Sequence, residues 1–263
     1  MAVVVGLAVT AVKATRLRRV DRIEVGPDGV RENRRFYLID NRDRMINSKL
    51  VGELQQVVAD YSDGERTLRL ELPDGRVVDG DIRLGDEVTT RFFSQTAQAH
   101  IVEGPWSDAL SDCFGQTLRL VEVGNRATAV DRGPMGAVSL ISRASLARLA
   151  QAGGTDSIDS RRFRMLIEID GVSAHEEDRW VERAVRIGET TIEFGGHVGR
   201  CLITSRDPDT GRVDLPTLDM LGGYRDGLDC TEPLPFGIHG RVLEPGAIRI
   251  GDEVTSMDSV SGR

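Results

Sequence analysis

The 263-residue sequence predicts a mainly β fold, a β-barrel framework carrying a few short helices. Three observations predict it. Apolar and polar residues alternate at period two through most of the chain, Gly and Pro (29 and 9) punctuate those runs at turn spacing, and helical spacing appears in only three brief stretches. At 40% hydrophobic and 29% charged, the composition is that of a globular protein, neither disordered nor collagen-like nor coiled-coil.

The apolar stretch Ala2–Val12 reads as a buried first strand. It is well short of the roughly 20 residues of a membrane span, and it runs directly into Lys13, Arg16, Arg18 and Arg19 without a basic residue before it, unlike a secretory leader. Thr67–Leu72 alternates, Pro73-Asp74-Gly75 turns the chain, and Arg76-Val77-Val78 returns as an antiparallel partner. Ile82–Thr89 and Ile248–Thr255 nearly coincide, and Arg186-Ile187-Gly188-Glu189 echoes their start; Gly-Asp in this device predicts a tight bend between two short strands. Helices are expected over Pro105–Cys113, stopped by Gly115, over Ala144–Gln151, capped by Ser142 and ended by Gly153-Gly154, and over Pro216–Leu221, ended by Gly222-Gly223. The polar run Ser94–His100 suggests a boundary, giving expected units at residues 1–93 and 102–260.

Charge narrows the partners. With 34 basic and 42 acidic residues the chain carries a net charge of -8, so no overall positive field draws in nucleic acid or an anionic membrane, and neither is an expected partner. Lysine occurs only at Lys13 and Lys49, so nearly every cation is an arginine, a rigid fork suited to phosphate. Cys113, Cys201 and Cys230 lack CxxC spacing and are odd in number, which argues against a disulfide framework and for a reducing, cytoplasmic setting. Zinc at His197 and Cys201 is not expected, because further ligands at suitable spacing are missing.

The segment Gly195–Gly211 carries the most chemistry: a glycine-rich approach, then Arg200-Cys201, then the turn Asp207-Pro208-Asp209-Thr210-Gly211. A thiol beside a permanent cation is favoured as thiolate, the form that ligates soft metal or accepts sulfur. From residue types alone, a small buried cysteine on a strand followed by a plain hairpin turn is the more common reading, since free cysteine is often buried and inert.

Arg200-Cys201 followed after five residues by Asp207–Gly211 resembles the signature of the MOSC family, named for the C-terminal domain of molybdenum cofactor sulfurase. Phe163-Arg164 and Glu177-Asp178-Arg179-Trp180 resemble its FRPN and ED-x-W motifs, and Pro235-Phe236-Gly237 and Leu243-Glu244-Pro245-Gly246 its closing strands. Val12-Lys13 and Arg35–Ile39 resemble the PVKS turn and DRxW strand of the family's companion N-terminal β-barrel. The resemblance implies an N-terminal β-barrel-like domain packed on a MOSC barrel, as in the amidoxime-reducing members.

It also implies the molybdenum cofactor, a pterin carrying molybdenum and a phosphate, with Cys201 as catalytic residue and metal ligand. Lys13, Arg35, Arg164 and Arg200 then fall at anion-binding positions, His239 lines the pocket, and Met135-Gly136 match a backbone segment near the cofactor. Glu177, Asp178 and Trp180 read as architectural, with Trp180 packed and the acids partnering an arginine. Pyridoxal phosphate is not expected. The implied activity is reduction of small N-hydroxylated substrates; since three dispersed cysteines cannot hold a four-thiolate iron–sulfur cluster, electrons come from an external reductase.

Three departures stand out: Ala14 replaces the PVKS serine, Leu166 the FRPN asparagine, and Val198 the first cysteine of CxRC. Each lost hydrogen bond weakens a site by about 1 kcal/mol. They motivate a second reading, a sulfur carrier in which Cys201 holds a persulfide received from a sulfur donor, and a third, a non-catalytic scaffold. Substrate choice is expected from the loops Asn125–Gly136 and Arg212–Glu232.

Overall fold

A computed structural model of the chain describes residues 1–92, 95–124, 133–228, 230 and 232–257. In chain order the strands are β1 (Ala2–Val9), β2 (Arg18–Arg19), β3 (Arg22–Val25), β4 (Phe36–Ile39), β5 (Met45–Ile46), β6 (Val58–Ser62), β7 (Thr67–Glu71), β8 (Val77–Asp81) and β9 (Arg83–Phe92). They continue with β10 (Gln95–Glu103), β11 (Arg119–Val123), β12 (Val138–Ser142), β13 (Ile167–Asp170), β14 (Arg183–Ile187), β15 (Thr190–His197), β16 (Ile238–Glu244), β17 (Gly246–Arg249) and β18 (Glu253–Ser256). The α-helices are α1 (Trp106–Phe114), α2 (Arg143–Gly153) and α3 (Thr217–Arg225).

Seven strands close a barrel in the order β13-β12-β16-β15-β14-β18-β1, sealed by the antiparallel β1–β13 pairing. All neighbours are antiparallel except β12 and β13, which run parallel and are joined through α2. The inward positions of β1, Val4 and Leu7, meet Ile167, Val185, Ile192 and Phe194 in the barrel core. A second core lies under the five-stranded sheet β5-β4-β11-β10-β9 and the three-stranded sheet β6-β7-β8, with Trp106 and Leu110 of α1 packed among Phe36, Leu54 and Leu70. The mainly β class holds.

Several local expectations are corrected. The polar run 95–100 is strand, paired with both β9 and β11; its polarity reflects an exposed face, and β-branched Thr96 suits the ladder. The sheets therefore divide elsewhere than between residues 93 and 102: β1 joins the barrel built mostly by residues 138–256, and the second sheet extends to Val123. The Gly-Asp device bends the chain at Gly251 (φ +90) and Gly188 (φ +56), whereas β9 continues through Gly85-Asp86 with only a β-bulge opposite β10, between the Leu84–Val102 and Glu87–His100 pairs. Helix α3 continues through Gly222-Gly223 to Arg225, because Leu221 is fully buried and the buried Arg225 guanidinium donates to the Pro235 carbonyl (2.9 Å) and Asp178 (2.8 Å). Tertiary contacts there outweigh the helix-weakening glycines.

Candidate functional site

Beyond β15 the chain stays extended. Val198 N–H donates to the Gly237 carbonyl (2.9 Å), Phe236 N–H to Val198 (3.0 Å), and Arg200 N–H to Pro233 (3.2 Å). This delivers Cys201 in extended geometry (φ -137, ψ 178) to the start of a short 3-10 turn, Leu202–Ser205. The turn is locked: Thr204 donates to the Cys201 carbonyl through both N–H and Oγ1 (3.0 Å each), and Thr204 and Ser205 hydroxyls meet Thr217 Oγ1 at 2.7 and 2.8 Å, tying the turn to α3. The Cys201 side chain is exposed, so the buried-cysteine alternative is not what the chain adopts.

Cys201 lines a cavity of about 130 Å³. Its walls come from both halves of the chain: Lys13, Ala14, Arg34, Asn47 and Ser48 on one side, and Arg162, Phe163, Arg164, Arg200 and Thr204 on the other. Five cationic side chains thus converge beside one thiol. Each is anchored. Arg34 donates to the Arg164 carbonyl and Arg164 to the Thr15 carbonyl (2.6 Å each), Arg162 grips Asp214 bidentately (2.7 Å each), and the Lys13 ammonium sits 5.5 Å from the Phe92 ring centroid. Arg200 donates to the carbonyls of Phe163 (2.9 Å) and Phe236 (2.8 Å), so besides its charge it staples the Phe163–Met165 segment to the end of the barrel.

Of the residues expected at the site, the structure brings together Cys201, Lys13, Arg164 and Arg200. It places Arg35 elsewhere. Arg35 and Arg66 both bind the buried Glu122 carboxylate (2.7, 3.0 and 3.1 Å) and line a separate cavity of about 570 Å³. Arg34 lines the Cys201 cavity instead, its left-handed backbone (φ +56) held by Arg34 N–H donating to the Thr10 carbonyl and its guanidinium to the Arg164 carbonyl. Met135, Gly136 and His239 form another cluster outside the cavity lining. His239 Nδ1 donates to the Met135 carbonyl (2.7 Å), which fixes the proton on that nitrogen, and Met135 covers Gly195 so closely that a side chain there would collide with it.

Sequence reasoning missed Arg34, Asn47, Ser48 and Arg162. The first was masked by its neighbour, and nothing in the order of residues announces that 47 and 48 meet 201. A larger cavity, about 730 Å³, lies between α2 and residues 156–161, but no thiol borders it. Of the loops expected to choose substrate, residues 125–132 lie outside the described ones.

The acidic motif is not part of the Cys201 cavity lining. Glu177 is fully buried and accepts from Ser142 N–H (3.1 Å) and the hydroxyls of Ser142 (2.9 Å) and Ser145 (2.6 Å), not from an arginine; burial raises its pKa against the pull of those donors. Burial also works against charge on Asp178, yet His197 (3.4 Å) and Arg225 (2.8 Å) hold its carboxyl below the usual range. Trp180 packs into the barrel core. His175, with left-handed backbone (φ +62), lies 5.6 Å from Tyr224 and 5.8 Å from Phe236 between ring centroids; burial and the Arg225 charge push its pKa down to about 4.

Comparison with known proteins decides the family. The chain matches the MOSC domain over residues 127–255. Residues 127–255 are a MOSC domain. Curated relatives include mitochondrial amidoxime reducing component 2 of Bos taurus, 35% identical over 127 residues (46% of this chain, 37% of the relative), and its Homo sapiens counterpart, 38% identical over 102 residues (36% and 30%). Mitochondrial amidoxime-reducing component 1 of Mus musculus is 36% identical over 104 residues (37% and 30%). The chain spans about a third of the length of these relatives. Among solved structures, the YuaD protein of Bacillus subtilis aligns over 97% of this chain and 94% of its own, at 12% identity and a TM-score of 0.46. No helix among the described residues is long and apolar enough to cross a membrane.

Proposed function

We propose that this MOSC protein binds the molybdenum cofactor at the Cys201 cavity and reduces small N-hydroxylated compounds, with the Cys201 thiolate as the protein ligand of the metal. One observation carries the reading: an exposed thiol at a cavity where five cations from both halves of the chain converge. The donor set suits the group. Thiolate is the soft ligand molybdenum favours, anchored guanidiniums and an ammonium suit a phosphate, and the buried Ser48 Oγ, which has no protein partner, is available to an oxyanion. Ligand sites for drug-sized molecules occupy about 300–1,000 Å³, so the cavity of about 130 Å³ would hold only the anionic group, through Lys13, Arg164 and their neighbours.

When bound, the cofactor supplies two-electron redox chemistry. The chain's own residues prepare the place for it: Thr204 and Thr217 fix the backbone that presents Cys201, Lys13 and Arg164 set the positive field, and Arg200 holds Phe163–Met165 against residue 236. Electrons come from an external reductase. The homology to amidoxime reducing components supports the substrate class.

The test is molybdenum and pterin analysis of protein from a cofactor-synthesising host, beside Cys201→Ala. Stoichiometric molybdenum and a visible thiolate-to-metal absorption that C201A lacks are expected; protein devoid of both metal and pterin overturns the reading. Because Cys201 is exposed, C201A should unfold within about 0.5 kcal/mol of the parent, so any loss of metal is local. That same exposure also suits the sulfur-carrier reading, which predicts a one-sulfur mass increase on Cys201 after incubation with a cysteine desulfurase.

A further inference from the structure

Ser48 is fully buried, it lines the Cys201 cavity, and its Oγ has no hydrogen-bond partner. A buried hydroxyl left without a partner forfeits its hydration for nothing in return, and such groups in folded chains mark positions where something else completes the bond.

The chain holds Ser48 there through a chain of specific contacts. Asn47 Oδ1 accepts from Lys49 N–H (2.9 Å), and its carbonyl accepts from Leu50 and Val51 N–H (3.0 Å each), curling the segment after β5. Arg206 then donates to the Lys49 carbonyl (3.2 Å), and Gln56 Nε2 to the Thr210 carbonyl (3.0 Å). Gly52 and Gly211 meet backbone to backbone, with no room for a Cβ on either. The receiving surface is the Asp207–Gly211 turn, shaped by Asp207 Oδ1, which accepts from Thr210 N–H (2.7 Å), Thr210 Oγ1 (2.8 Å) and Asp209 N–H (3.1 Å). The turn five residues past Cys201 is therefore the seat of the segment that carries Ser48. Ala14, in the same cavity lining, offers only a methyl group.

We propose that Ser48 is a ligand-binding residue, its hydroxyl donating to an oxyanion held among Lys13, Arg34 and Arg164, and that the Asp207–Gly211 turn positions it. The oxyanion chemistry stands on these contacts; only its identification with the cofactor's phosphate rests on the function proposed above.

The test uses Ser48→Ala and two measurements. Protein from a host unable to make the cofactor is titrated calorimetrically with inorganic phosphate, and its melting temperature is recorded. The parent should bind phosphate, S48A should bind about tenfold more weakly, as one hydrogen bond to a charged group requires, and S48A should melt at or above the parent temperature, since a hydroxyl without a protein partner contributes nothing to the fold. Equal phosphate affinity in S48A, no phosphate binding by the parent, or a lowered melting temperature each overturns the assignment. Molybdenum and pterin content of both proteins from a proficient host separates the two claims: Ser48-dependent phosphate binding without retained molybdenum or pterin leaves the hydroxyl's role standing and removes the cofactor reading.

Discussion

Substituting Gly211 by Ala tests whether the turn after Cys201 is built for its partner segment. Gly211 has φ +73, and a Cβ there would fall well inside contact distance of the Gly52 carbonyl oxygen and 2.8 Å from the Glu53 nitrogen. Left-handed backbone costs a non-glycine residue about 1–2 kcal/mol, and forcing a methyl into a closed contact costs about 1–3 kcal/mol, so G211A should lose about 2–5 kcal/mol. Gly52→Ala isolates the second contribution. Its added Cβ meets the Gly211 carbonyl and sits 2.9 Å from Arg206 Cζ, but Gly52 does not have left-handed backbone, so about 1–3 kcal/mol is expected. Because both changes break one contact, the double variant should lose less than their sum. Urea unfolding of the four proteins reads this directly. A G211A variant within about 0.5 kcal/mol of the parent, or strictly additive losses, refutes the docking account.

Two further perturbations follow from the buried charges. Glu122→Gln leaves Arg35 and Arg66 sharing a neutral amide; removing one partner of a buried pair costs about 3–5 kcal/mol, and the 40% exposure of the Arg66 side chain lowers this to about 2–3 kcal/mol, checked by urea midpoint. For His175, the folded ring titrates at about 4 and the unfolded one at 6.5, so between those values the unfolded chain holds more protons and stability falls on acidification from pH 6.5 toward 4. The full difference is worth about 3 kcal/mol at about 1.4 kcal/mol per tenfold, and solvent reaching the half-buried ring reduces it to about 1–2 kcal/mol. His175→Asn, which tolerates the left-handed backbone, should flatten that slope; an equally steep slope in H175N assigns it to another group.

What was legible in the sequence is what local chemistry decides. Ser142 caps α2 by accepting from Ser145 N–H, Gly154 and Gly115 close α2 and α1 in left-handed backbone, and Pro73-Asp74-Gly75 turns β7 into β8. Cys201, Lys13, Arg164 and Arg200 were legible through their motifs and do converge. What was not legible depends on contacts between distant segments. Gly222-Gly223 stay helical because Leu221 and Arg225 are buried, and Gly85-Asp86 stay within one strand, as an unpaired bulge, because β10 pairs with β9 on both sides of them. Arg34 and Arg35 are adjacent cations that differ in backbone, Arg34 alone being left-handed, and a buried carboxylate 87 residues from Arg35 claims it. Ser48 enters the cavity through a glycine-to-glycine contact that no spacing rule encodes.

The cavity's geometry also explains why its cations can act on a ligand without first being gathered. Among the described residues, eight non-glycine residues have left-handed backbone, and three of them, Ala14, Arg34 and Arg164, line this one cavity. Such conformations cost about 1–2 kcal/mol each and persist only where surrounding contacts over-determine them. Here the contacts are mutual: Arg34 N–H donates to Thr10 and its guanidinium to Arg164, Arg164 donates to Thr15, and the Thr15 hydroxyl donates to the Val12 carbonyl, so the chain segments at 10–15, 34 and 164 hold one another. A guanidinium already fixed by a carbonyl has little rotamer freedom left to lose when an anion arrives. The strain is therefore the counterpart of a positive field assembled at folding, which is the condition under which a single thiol and a single hydroxyl can fix the orientation of whatever binds there.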